Sequence, residues 1–159
     1  MALVSMLAKH WCMDVNTAGI GAPTSAWTRV RGLSKWEKTT DDNVEDDGDF
    51  DDESGYGRDM ITERKWKIEA EGKRKKNTGA TFVPDAGQEY IRQAARKVGD
   101  EAFIEVRWYR RDGSDEAYQG TCQVNEFTVG GEKTDLEPFS FTLLGSGEDV
   151  EIDNPLVAP

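Results

Sequence analysis

The sequence predicts a mainly β (α+β) domain: a β-sandwich or barrel of about seven strands, one flanking α-helix and a long acidic loop. Three observations carry this. Several short runs alternate apolar and polar residues with a period of two, the mark of strands buried on one side only. Turn-forming Gly, Pro and Asp clusters separate those runs. Only one segment, Asp85 to Gly99, has helical spacing. A chain of 159 residues is one domain's worth, so 1–159 is read as a single domain.

The elements follow in order. Trp11, Met13 and Val15 alternate with Cys12, Asp14 and Asn16, a first strand. A loop from Gly19 to Pro23 leads to strand-like runs at Trp27 to Leu33 and Ser34 to Thr40. The stretch from Asp41 to Asp59 has no periodicity and few apolar groups, so it is expected to be a flexible loop within the domain. Alternation resumes from Glu63 to Gly72, with Trp66, Ile68 and Ala70 facing one way and Lys65, Lys67, Glu69 and Glu71 the other. Lys73-Arg74-Lys75-Lys76 makes a basic turn. Asp85 is the expected N-cap of the helix, with Gln88 completing a capping box. Ile91, Ala94, Ala95 and Val98 form its apolar stripe, and Gly99 is its natural stop. Phe103 to Arg110 is the next strand.

Two runs close the fold. In the first, Tyr118, Gly120, Cys122 and Val124 share one face; in the second, Phe139, Phe141 and Leu143 do. Gly130-Gly131 and Pro138 punctuate the turn region between them, and 148–159 reads as a C-terminal tail. The five tryptophans fall mostly in these strands, where they suit a β core.

Charge is unevenly placed. The formal net charge is −11, and the Asp41–Asp59 stretch, ten acids against Arg58, carries −9 of it. The remainder is a nearly balanced domain with one acidic insertion. A basic surface able to neutralise phosphates is missing, which argues against nucleic-acid binding as the main task. No apolar run reaches the length of a membrane span. Cys12 and Cys122 lie far apart, without zinc spacing, and are expected to be buried free thiols.

The chemistry of sites is sparse. Asp47-x-Asp49-x-Asp51 starts like a calcium loop, but Asp52 stands where glycine is needed and Arg58 where the bidentate Glu belongs. His10 is the only histidine, and nothing around it suggests a triad. The expectation is therefore no enzyme, no cofactor and no metal.

The chain resembles the tail tube proteins of long-tailed bacteriophages. The carrying residues are Gly120-Thr121-Cys122-Gln123-Val124, Asp135 in the turn, and Phe139 through Gly147, which match a G-T-x-x-V strand and an F-S-F-T-L-x-G-x-G strand. Arg64 to Gly72, Pro84 to Gln88 and Ile104 to Tyr109 precede them in the same order as in that family. The resemblance implies a structural virion protein, the major tail tube subunit, related to the tubes of contractile tails and type VI secretion. It implies hexameric rings stacked into a hollow tube around a tape measure protein, meeting tail tip and tail terminator proteins, with phage DNA passing without specific binding. It places the protein in the virion tail, after assembly in the host cytoplasm, with no membrane role. The acidic loop, about Asp41 to Asp59, is then the segment that contacts neighbouring subunits or the adjacent ring. The expected assembly contacts are Asp46, Asp47, Asp51 and Asp52 on that loop and Lys73, Arg74, Lys75 and Lys76 on the basic turn. The competing readings are another ring-forming tail part, such as a terminator or type VI-like tube protein, and a monomeric β-sandwich binding module with Trp36, Tyr56 or Tyr109 as an aromatic platform.

Overall fold

The structure is a computed structural model that describes residues 1–157. Seven strands are present: β1 (Trp11–Asn16), β2 (Trp27–Arg29), β3 (Leu33–Asp46), β4 (Asp59–Lys73), β5 (Phe103–Arg110), β6 (Ala117–Val129) and β7 (Pro138–Glu151). One α-helix, α1 (Ala86–Ala94), lies between β4 and β5. All strands join in one sheet of order β2-β1-β5-β6-β7-β4-β3, antiparallel throughout.

The sheet folds over so that its two ends face each other. Trp66 of β4 meets Trp108 of β5 at 5.2 Å between ring centroids, although β6 and β7 separate those strands in the sheet. Trp36 of β3 stacks on Trp11 of β1 at 4.9 Å. The core is thus enclosed as in a sandwich, but side chains close it rather than a ladder of backbone hydrogen bonds. Where β3 and β1 fail to pair, an open cleft of about 580 Å³ remains, walled by Trp11, Trp36, Trp108 and Tyr118. Lys38 lies in it, 2.7 Å from Asp149 and over the Trp108 and Tyr118 rings.

Alternation sets the core. Met13, Val15, Ile68, Ile104, Val106, Trp108, Cys122, Phe139, Phe141 and Leu143 are all buried in it, as the period of two requires. Trp66 and Trp108 are buried, whereas Trp11 and Trp36 are half-buried against the core and Trp27 stacks under Arg107. A bulge adjusts β6. Its pairing with β7 slips between Asn125 and Thr128, and Glu126 takes a positive φ of 55°. The extra residue returns Phe127 to the core side, where it stacks on Phe139 and Phe141.

The helix is shorter than its sequence stripe suggests. It ends at Ala94, Val98 is exposed in extended backbone, and Gly99 starts a separate 3-10 turn with φ of 66°. Its buried side is Gly87, Gln88, Ile91 and Ala94. Gly87 presses on the backbone of β2, where a Cβ would come within 2.4 Å of the Arg29 carbonyl oxygen.

Two boundaries also move. The predicted loop from Asp41 begins as strand: Asp41 to Asp46 continue β3 and pair with Lys65 back to Asp59 of β4. The pairing needs no apolar alternation because backbone hydrogen bonds hold it. The C-terminal tail likewise starts later, since Glu148 to Glu151 belong to β7. Beyond them Ile152 and Asn154 strap the outer face over Cys12, Tyr109 and Ala117. The buried Asn154 amide donates to the carbonyls of Arg110 and Ser114 at 2.7 and 2.8 Å.

Candidate functional site

The eight sequence-derived contact residues fall at the two ends of the β3–β4 hairpin. β4 runs from Asp59 at the acidic tip to Lys73 at the basic turn. At the usual rise per residue those ends are about 45 Å apart. Within one subunit the two groups therefore never meet.

The hairpin is a projecting arm. β4 pairs with β7 only from Lys67 to Lys73. From Trp66 outward to Asp59 its only partner is β3. Val44, Met60 and Ile61 are exposed on this two-stranded ribbon. Such a ribbon is marginal alone in water and gains from a covering surface.

Local hydrogen bonds shape the tip. The Asp46, Asp49 and Asp52 carboxylates accept from the amides of Gly48, Asp51 and Ser54 at 2.8, 3.1 and 3.2 Å, each capping the amide two residues on. Arg58 lies 3.5 Å from both Asp49 and Asp52, so Asp52 is half-buried and already paired. Asp46, Asp47 and Asp51 are exposed. The tip also presents Phe50 and Tyr56 to solvent, 106% and 83% exposed, which charge counting alone overlooks.

The opposite pole is built on Gln88. Its side-chain amide donates to the Arg31 and Lys73 carbonyls at 2.6 and 3.0 Å, and its oxygen accepts from the Lys75 amide at 3.0 Å. The capping box is thus half made. Asp85 accepts from the Gln88 amide at 3.1 Å, but Gln88 reaches the basic turn instead of the cap. Close backbone approach fixes the rest. The Lys73 amide donates to the Gly32 carbonyl at 2.9 Å, and a Cβ on Gly72 would come within 2.2 Å of that oxygen. Arg74 pairs with Glu137 at 3.3 Å. Lys73, Lys75 and Lys76 are exposed and have no ion-pair partner among the described residues.

Sequence reasoning also missed a buried polar cluster. Asp14 accepts from the Arg107 guanidinium and the Tyr109 hydroxyl, each at 3.0 Å, while Arg29 donates to the Tyr109 oxygen at 3.2 Å. Arg107 lies over the Trp27 ring at 4.6 Å. Burial pushes the Tyr109 hydroxyl above the usual phenol range. The cluster joins β1, β2 and β5 and holds no nucleophile. Burial likewise pushes the Cys122 thiol up, and both cysteines are buried free thiols. Among the described residues no set of three or more His, Cys, Asp or Glu is placed to hold a metal ion, and no helix is long and apolar enough to cross a membrane. Of the three aromatic residues of the binding-module reading, Tyr109 is 2% exposed and takes no part in a surface platform, whereas Trp36 is half-buried in the cleft and Tyr56 is exposed at the tip.

Known structures resemble this fold over nearly its whole length. A chain from the tail of an empty gene transfer agent particle, refined with C6 symmetry, superposes with a TM-score of 0.71 at 15% identity, covering 93% of this chain and 99% of that one. A chain from the virion of a native gene transfer agent gives 0.68 at 12% identity, with coverages of 93% and 99%. The SPP1 tail tube gives 0.68 at 14% identity, covering 94% of this chain and 80% of that one. The chain has the tail-tube fold. No protein-family model matches it, and no curated protein matches it in sequence.

Proposed function

We propose that this chain is the major tail tube subunit of a long-tailed phage, a structural protein without catalytic activity. Hexameric rings of it stack into the hollow tube of the virion tail, after assembly in the host cytoplasm. The observation that carries this reading is the end-to-end likeness to a tail of sixfold symmetry. The molecule's own shape supports it. β3 is a long edge strand paired on one side only, a row of free backbone groups that a neighbouring sheet can extend around a ring. The arm beyond β7 has apolar groups that an adjacent subunit would cover.

The bore must let DNA pass without holding it. The faces of β6 and β7 turned from the core carry Gln119, Thr121, Gln123, Asn125, Ser140 and Thr142, none of them charged. A lumen made of this surface offers no fixed cations to phosphates. Tape measure, tail tip and tail terminator proteins are the partners this role requires. A terminator or type VI-like tube protein on the same fold remains the rival reading.

Negative-stain electron microscopy over a concentration series tests the proposal. Rings or hollow tubes are the expected products. Monomers at every concentration, even with a tail-tip extract added, would overturn it.

A further inference from the structure

The two poles of the subunit are complementary in apolar surface as well as in charge. The basic turn is flanked by exposed side chains: Phe82, Val83 and Leu136 are 67%, 52% and 76% exposed. They belong to the same local structure as the lysines. Asn77 exchanges backbone and side-chain hydrogen bonds with Val83, and Lys76 bridges to Pro84. Leu136 adjoins Glu137, whose carbonyl accepts from the Arg74 amide and whose carboxylate pairs with the Arg74 side chain. The acidic tip has the converse make-up, with Phe50 and Tyr56 standing out among Asp46, Asp47, Asp49 and Asp51.

We infer that Phe50 at the hairpin tip of one copy is the anchor that seats on the Phe82–Val83–Leu136 patch of a second copy, with the tip carboxylates around it facing Lys73, Lys75 and Lys76. This rests on the tube reading and deepens it. The contact is heterologous, tip to turn, so each copy keeps one free tip and one free turn and the series continues along an axis. An aromatic anchor desolvated in a pocket, with a polar rim that keeps water out, is the usual composition of an interface hot spot. Arg58 takes up Asp49 and Asp52, and Glu137 takes up Arg74, which leaves Asp46, Asp47 and Asp51 at the tip and Lys73, Lys75 and Lys76 at the turn without an internal ion pair among the described residues.

Cysteine trapping tests it. Both native thiols are buried, so added ones report alone. Purified Phe50→Cys and Phe82→Cys proteins are mixed under mild oxidation, and the double variant is oxidised by itself. The expected products are a heterodimer from the mixture and a ladder from the double variant, both reduced by high salt. Tip-to-tip dimers of Phe50→Cys alone, or no trapping, would overturn the inference. Phe50→Ser is expected to raise the concentration needed for assembly about tenfold, the scale of a hot-spot residue. An unchanged threshold would remove Phe50 as the anchor. Tubes without the 50–82 bond would sink this contact and leave the tube reading; ladders without rings would do the reverse.

Discussion

Trp66 sits where two glycines make room for it. A Cβ on Gly145 would fall 2.3 Å from its ring, and one on Gly120 would fall 2.6 Å away. Its indole nitrogen donates to the Gly147 carbonyl at 2.9 Å. Gly145 and Gly120 are therefore sockets, required by a ring on β4, the strand next to β7 and two places from β6 in the sheet. We predict that Gly145→Ala forces Trp66 out of its seat at a cost of about 1–3 kcal/mol, the usual penalty of overpacking. Thermal unfolding should show a midpoint lowered by several degrees, with the Trp emission shifted red. An unaltered midpoint would show that the ring shifts freely. The apolar members of the core were legible residue by residue from alternation. The sockets were not, because a glycine in a strand pattern does not name the side chain above it. The Asp14 cluster was equally silent, since its members lie on three strands and β5 is remote in sequence from β1 and β2.

At the scale of elements, the succession of strands along the chain and the polarity of their faces could be read because each run encodes its own two sides, whereas their order in the sheet could not. The bulge at Glu126 breaks that code, and its trace is Phe127 falling out of phase with Val124. The arm from Asp41 to Asp46 hid for another reason: a ribbon solvated on both faces has no apolar period to display. The helix carries its own pH dependence. A hydrogen bond from Arg92 holds the Glu89 carboxyl well below its usual value, at about 2. A carboxylate depressed in the folded state stabilises above its unfolded pKa of about 4.3, and that contribution is lost as pH falls from there toward 2. The expected outcome is that thermal stability of the native chain drops across this window and that Glu89→Gln drops less. Parallel curves for the two proteins would exclude the pair as a source of acid sensitivity.

For the whole molecule, the fold class was readable in the sequence, and so were the acidic and basic charge runs, but the separation of those runs was not. Only the paired length of β3 and β4 places them at opposite ends. The combined alanine replacement of Lys73, Arg74, Lys75 and Lys76 should weaken polymerisation, with the largest deficit at low salt, where exposed charges act over the longest range. Sedimentation of assembled material across a salt series measures this, and equal yields for both proteins would refute it. The distribution of charge has a kinetic side too. A subunit with carboxylates gathered at one extremity and ammonium groups at the other is an electric dipole some tens of ångströms long. In the field at the end of the proposed stack, an arriving copy would turn before it touched, so that most encounters would begin in the productive orientation. Screening would then slow the capture of new copies more than it hastens their departure, and growth at one end of the stack would differ in rate from growth at the other.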